Sequence, residues 1–279
     1  MLLLKLLLTP LLIGAVTLIG RRWGPRVAGL VVGLPLTTGP ISLFLATERG
    51  PAFALRAAGG AMTGLVGTGA FCAAFAVIVR RREWPAALAG ALATLAAITL
   101  IEGAVETTPR SLPIVAALAV AALVLLWAGA SRLTAAVHHE RPRRTPQAAV
   151  PAWDLPARVI VSTAMVAAVT ACAGALGSRW SGVLSALPVF GAVLGVFTQR
   201  QEGRGAAIAL MRGLIIGCVS GVLFFTVVGA LLATGRLAAT YGAAALTAVV
   251  SGAIVSHLTR PRPRQVVPVV VEARARRAA

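Results

Sequence analysis

The sequence predicts an all-α integral membrane protein of about nine transmembrane helices, N-terminus outside and C-terminus inside. It also predicts an inverted-topology repeat of four helices plus a connecting helix. Three observations carry this. The 279 residues are 58% hydrophobic and 12% charged, where a soluble domain carries about 25% charged residues. The apolar residues gather in runs near the ~20 residues that a helix needs to cross a bilayer. The arginines gather in every second connection between those runs.

The nine runs cover 2–19, 27–46, 53–79, 85–105, 112–130, 157–177, 182–198, 206–233 and 238–258. Strands of a membrane barrel would be about 10 residues long and would alternate in polarity. These runs are longer and do not alternate, so each is read as a helix that satisfies its own backbone groups. Residues 1–20 have the outline of a signal peptide, one lysine before an apolar core. No small-residue cleavage pattern stands out and Arg21-Arg22 follows, so the stretch is read as a retained first span.

Orientation follows from the arginines. Connections after the first, third, fifth and seventh spans hold Arg21, Arg22 and Arg26, then Arg80, Arg81 and Arg82, then Arg132, Arg141, Arg143 and Arg144, then Arg200 and Arg204. The segment after the ninth span adds six more. The opposite connections hold Arg49, Arg110, Arg179 and Arg236 alone. The basic side is expected to be cytoplasmic.

The division that follows is a first membrane repeat with a connector span over 1–131 and a cytoplasmic linker over 132–156. A second membrane repeat occupies 157–259, and a basic, unstructured cytoplasmic tail 260–279. The net charge of +18 would point to nucleic acid in a soluble protein. Here the cations flank apolar runs, so membrane lipids are the expected partner and nucleic acid is not. All cations but Lys5 are arginine, and alanine is abundant. That usage suggests a GC-rich bacterial genome, hence a multi-pass protein of the bacterial inner membrane.

No cofactor or metal is expected. Cys72, Cys172 and Cys218 lie inside apolar runs without C-x-x-C spacing. His138 and His139 sit in the polar linker with no third ligand nearby. The sequence lacks H-E-x-x-H, G-x-S-x-G and P-loop patterns, so it is not read as an enzyme.

A shift of 153 residues aligns the two halves without a gap. Gly24 falls on Gly177, Arg26 on Arg179, Gly29 on Gly182, and Leu34-Pro35 on Leu187-Pro188. Phe44 meets Phe197, Gly50 meets Gly203, Gly60 and Gly64 meet Gly213 and Gly217, and Thr94 meets Thr247. Paired spans lie five apart, so they cross in opposite directions. Dense Gly-x-x-x-Gly spacing in spans three and eight lets helices approach closely. Packing within the bundle is its default meaning, with a homodimer as the alternative.

Span two contains Gly33-Leu-Pro-Leu-Thr-Thr-Gly-Pro40, and span seven contains Ala186-Leu-Pro-Val-Phe-Gly191. Matching interrupted spans are a pointer to the binding site of inverted-repeat transporters. The candidate binding residues are therefore Pro35, Thr37, Thr38, Gly39, Pro188, Phe190 and Gly191. The competing reading is a plain proline kink repaired by its neighbours. Glu102 is the one acid well inside a span, and a charge pair with Arg56 at the same depth would serve ion coupling. Arg26, Arg179 and Arg212 are candidate vestibule residues for an anion. Their alternatives are loop capping and snorkelling to the interface.

The plan loosely resembles the bile-acid and cation–proton antiporter class, which also uses inverted repeats and broken helices. That resemblance implies a secondary transporter, although the pair of acidic or polar residues usual in that class is reduced here to Glu102. The expected function is a secondary transporter or exporter of a small polar or anionic solute. Alternatives are a translocase of a lipid-linked substrate, and a membrane module recruiting a partner through its basic segments.

Overall fold

The computed structural model describes residues 2–36, 38–105, 111–135, 153–175 and 188–259. All secondary structure among them is helical. In chain order the helices are α1 (Leu2–Trp23), α2 (Pro25–Gly33), α3 (Thr38–Arg49), α4 (Pro51–Ile78), α5 (Trp84–Val105) and α6 (Leu112–Thr134). They continue as α7 (Asp154–Ala175), α8 (Val189–Glu202), α9 (Arg204–Leu231) and α10 (Leu237–Leu258). Thr37, Arg179, most of the linker and the tail from 260 lie outside the described residues.

Six of the described segments are long and apolar enough to cross a membrane, counting α2 and α3 as one segment. The others are α4, α5 as far as Glu102, α6, α9 and α10. Helices α1 and α7 have 22 residues each, or about 33 Å at 1.5 Å per residue.

Helix α9 is apolar all round and takes the centre, packing against α2, α4, α6, α8 and α10. A helix without a polar face has no solvent side to present and is buried. Its Ile208, Met211, Ile215, Phe225 and Val228 are buried. Helix α4 is the second hub, packed against α3, α5, α6 and α9.

The tightest crossing joins α2 to α9. Gly29 and Gly33 of α2 meet Gly213 and Gly217 of α9 almost backbone to backbone. A methyl group on Gly29 would sit 1.9 Å from the Leu210 carbonyl oxygen, and one on Gly213 would sit 2.0 Å from the Arg26 carbonyl oxygen. Only hydrogen fits there. In hydrocarbon, where apolar burial drives little association between helices, this close van der Waals approach is what holds helices together. Gly60 and Gly64 of α4, although matched to Gly213 and Gly217 by the 153-residue shift, have nothing within 4 Å of an added methyl among the described residues.

Candidate functional site

The second apolar run is a broken helix. Leu34 precedes a proline, which pushes it out of the helical region, and it adopts φ −65°, ψ 151°. Pro35 has no N–H to donate. The Leu34 amide closes α2 on the carbonyls of Leu30 and Val31, at 3.2 Å each. The Leu36 amide then donates to the Leu34 carbonyl at 2.7 Å, and the Gly39 amide starts α3 on the Pro35 carbonyl at 2.9 Å. Pro40 sits in the first turn of α3, where a missing N–H costs nothing. The break is thus built from two prolines at positions that each tolerate one.

The Pro188 carbonyl accepts from the Ala192 amide at 2.8 Å and starts α8. Phe190, the second residue of α8, shares a cleft with Leu34 and Leu36 at the break. Leu12, Ile13 and Val16 of α1 and Val32 of α2 complete its lining. The structure therefore brings span two's break to the start of α8. The cleft is about 20 Å³, near the size that admits a single water.

Its walls are apolar. The Thr38 side chain is exposed, and Gly39 is buried with Phe224 3.2 Å from where its Cβ would lie. Gly191 packs on Leu214 of α9. Helices α1 and α7 pack together, and the Thr17 and Ser162 hydroxyls on them are buried with no hydrogen-bond partner among the described residues. Sequence reasoning missed both. The available signal was the 153-residue shift, which places buried Thr9 on buried Ser162.

The charged candidates among the described residues lie on four different helices. The Arg56 guanidinium is exposed and lies 5.9 Å from the Phe53 ring centre, on its own helix. Glu102 is half-buried near the end of α5. Arg212 of α9 stacks on Trp127 of α6 at 5.5 Å. Arg26 donates to the Thr259 hydroxyl at the end of α10. It also lines a second small cavity, of about 50 Å³, with Val27, Leu30, Gly213, Ile216 and Ser256.

The densest polar cluster is one that the sequence did not single out. Asp154 opens α7 and is fully buried, with Arg158 one turn later only 4% exposed. The Arg158 Nε donates to Asp154 Oδ1 at 2.9 Å, and Arg21 of α1 donates to Oδ2 at 2.9 Å. Gln201 of α8 bridges the pair, accepting from Arg158 Nη2 at 2.9 Å and donating to Asp154 Oδ1. The Arg158 guanidinium also covers the Phe197 ring at 5.3 Å. Burial alone would raise the Asp154 carboxyl. The hydrogen bonds from Arg158, Gln201 and Arg21 outweigh it and hold the carboxyl below its usual range.

A second cluster on the same basic side centres on Glu83, before α5. It accepts from Arg204 of α9 at 2.7 Å and from Gln199 of α8 at 3.2 Å. On the opposite side, Ser42 of α3 and Tyr241 of α10 share a buried hydrogen bond of 2.8 Å, and Tyr241 meets Phe224 edge to face.

Among the described residues no group of three histidine, cysteine or acidic side chains is placed to hold a metal ion. Cys72 and Cys218 are free and buried. Comparison with models of protein families, with curated proteins and with solved structures gives no match.

Proposed function

We propose that this protein is a secondary transporter or exporter of a small polar or anionic solute, working in the bacterial inner membrane. The observation that carries the reading is the break at Leu34–Leu36, which opens onto the start of α8 in one shared cleft. Interrupted helices meeting between repeats are where such transporters bind their cargo. A cleft with room for one water is the closed form of such a site. A solute enters only when the helices around it move.

An inverted repeat of nine spans, N-terminus outside, is part of the proposal. The 153-residue shift carries α4 onto α9 and α5 onto α10, end residue on end residue. Helices α3 and α8 share their last residue under it. Gly50 and Gly203, which open α4 and α9, share a left-handed backbone with φ 84° and 92°. The packing pairs agree: α4 with α5 matches α9 with α10, and α3 with α4 matches α8 with α9. Two such halves in opposite orientation make inward-facing and outward-facing states similar in energy. In this scheme Glu102 carries a coupling proton, and Arg26 and Arg212 attract anions at the basic face, with Arg179 opposite.

The apolar lining supports one variant, a translocase whose lipid-linked substrate lays an acyl or isoprenyl segment in the cleft. Liposomes loaded with a mixture of amino acids, carboxylates and phosphates distinguish the two. A transporter releases a member of the mixture at least tenfold faster than liposomes containing Phe190→Trp, which fills the cleft. Glu102→Gln removes the response of that flux to a pH gradient. No difference between native and Phe190→Trp liposomes removes the solute reading. Flipping of a fluorescent phospholipid in its place favours the translocase.

A further inference from the structure

We infer that the Asp154–Arg158–Gln201–Arg21 cluster is the inner gate of the transport pathway, with the Ser42–Tyr241 hydrogen bond as its outer counterpart. The inference rests on the transporter reading above. Polar ties between the first and second halves of the chain lie on both faces. Those on the basic face are charged and several: Arg21 with Asp154, Arg204 and Gln199 with Glu83, and Arg26 with Thr259. On the opposite face the described residues show the neutral Ser42–Tyr241 bond.

The cluster sits where a gate belongs. Asp154 and Arg158 belong to α7, Arg21 to α1 and Gln201 to α8. Helices α1 and α8 are two of the walls of the cleft at the break. Locking α1 to α8 through α7 closes the route from the cleft to the basic face. Helix α7 packs on α8, but α1 and α3, its counterparts under the 153-residue shift, make no comparable contact among the described residues. Arg158 covers Phe197, whereas the matching Phe44 is 45% exposed. Removing Arg158 or Arg21 takes a cation from a buried carboxylate, whereas removing Gln201 takes only a neutral donor.

The test places Phe190→Cys in a chain whose native cysteines are replaced by alanine. Charged, membrane-impermeant thiol reagents are then applied to right-side-out and inside-out vesicles. Gln201→Ala removes the bridging amide without stranding a charge, and Arg158→Gln removes the cation. Each is expected to raise labelling from the basic face at least tenfold and to leave the other face unchanged. Tyr241→Phe is expected to do the reverse. If Tyr241→Phe opens its face but neither cluster variant opens the basic face, the cluster is merely structural and the gate assignment fails while the transporter reading stands. If position 190 is labelled from neither face in any variant, the cleft is not on a pathway and both readings fail. Should Arg158→Gln prevent folding, Gln201→Ala alone decides.

Discussion

Replacing Gly213 by alanine is expected to destabilise the folded protein strongly, while replacing Gly60 by alanine does no harm. The two positions match under the 153-residue shift and both lie in 28-residue helices. At Gly213 the new methyl meets a backbone carbonyl at 2.0 Å. No side-chain rotation relieves that, so α2 and α9 must separate along their whole crossing. Overpacking a core costs about 1–3 kcal/mol even where side chains can adjust, and here the contact is lost as well. Gly60 is exposed and meets no other described residue through an added methyl, and alanine favours a helix by about 1 kcal/mol over glycine. Thermal unfolding in detergent checks both. An equal loss at Gly60 would mean that its face is covered as Gly213's is.

That contrast shows what the sequence carries and what it does not. Gly-x-x-x-Gly spacing in α4 and in α9 reads identically, and among the described residues it is α9 that α2 crosses. Six of the nine expected spans are membrane-length apolar helices in the structure, legible because hydropathy over ~20 residues is nearly enough to define a helix in lipid. The break in span two was legible too. Pro35 removes a donor and forces Leu34 extended, and both effects are local. Its surroundings were not legible. Thr37 and Thr38 suggested a polar lining; Thr37 lies outside the described residues, Thr38 is exposed, and the turn presents Leu34 and Leu36 to Phe190. Which face a residue takes after a break depends on the direction of the restarted helix.

The charged cluster was hidden for a related reason. Asp154 lies two residues before the end of a segment that composition marks as linker, and its partners are 133 and 47 positions away, with only Arg158 near in sequence. Arg21 reads as a topology anchor and Gln201 as a loop residue. Charges at the rim of a membrane protein are so readily explained by orientation that a specific network among them leaves no separate mark.

Arg158→Ala is expected to cost far more than Arg204→Ala, although each removes one arginine from one ion pair. Asp154 is 1% exposed and Arg158 5% as side chains. Breaking a buried pair by removing one partner costs about 3–5 kcal/mol, because the remaining charge stays desolvated. Arg204 and Glu83 are 38% and 70% exposed, and water replaces the lost partner at about 0–1 kcal/mol. The pH dependence has a fixed sign. The Asp154 carboxyl is held below its usual range in the fold. The stability it contributes is fully present above the unfolded aspartate value of about 3.9. It is lost as pH falls through the lower, folded value. Glu202 is pushed the other way by desolvation, so its protonation on acidification stabilises the fold slightly. It is exposed, which keeps that effect small. Melting temperature followed downward from pH 6 should therefore hold or rise a little, then drop below about pH 4. Asp154→Asn should start lower and lose the acid-side drop. A drop that survives Asp154→Asn unchanged would place the acid-sensitive group elsewhere in the bundle.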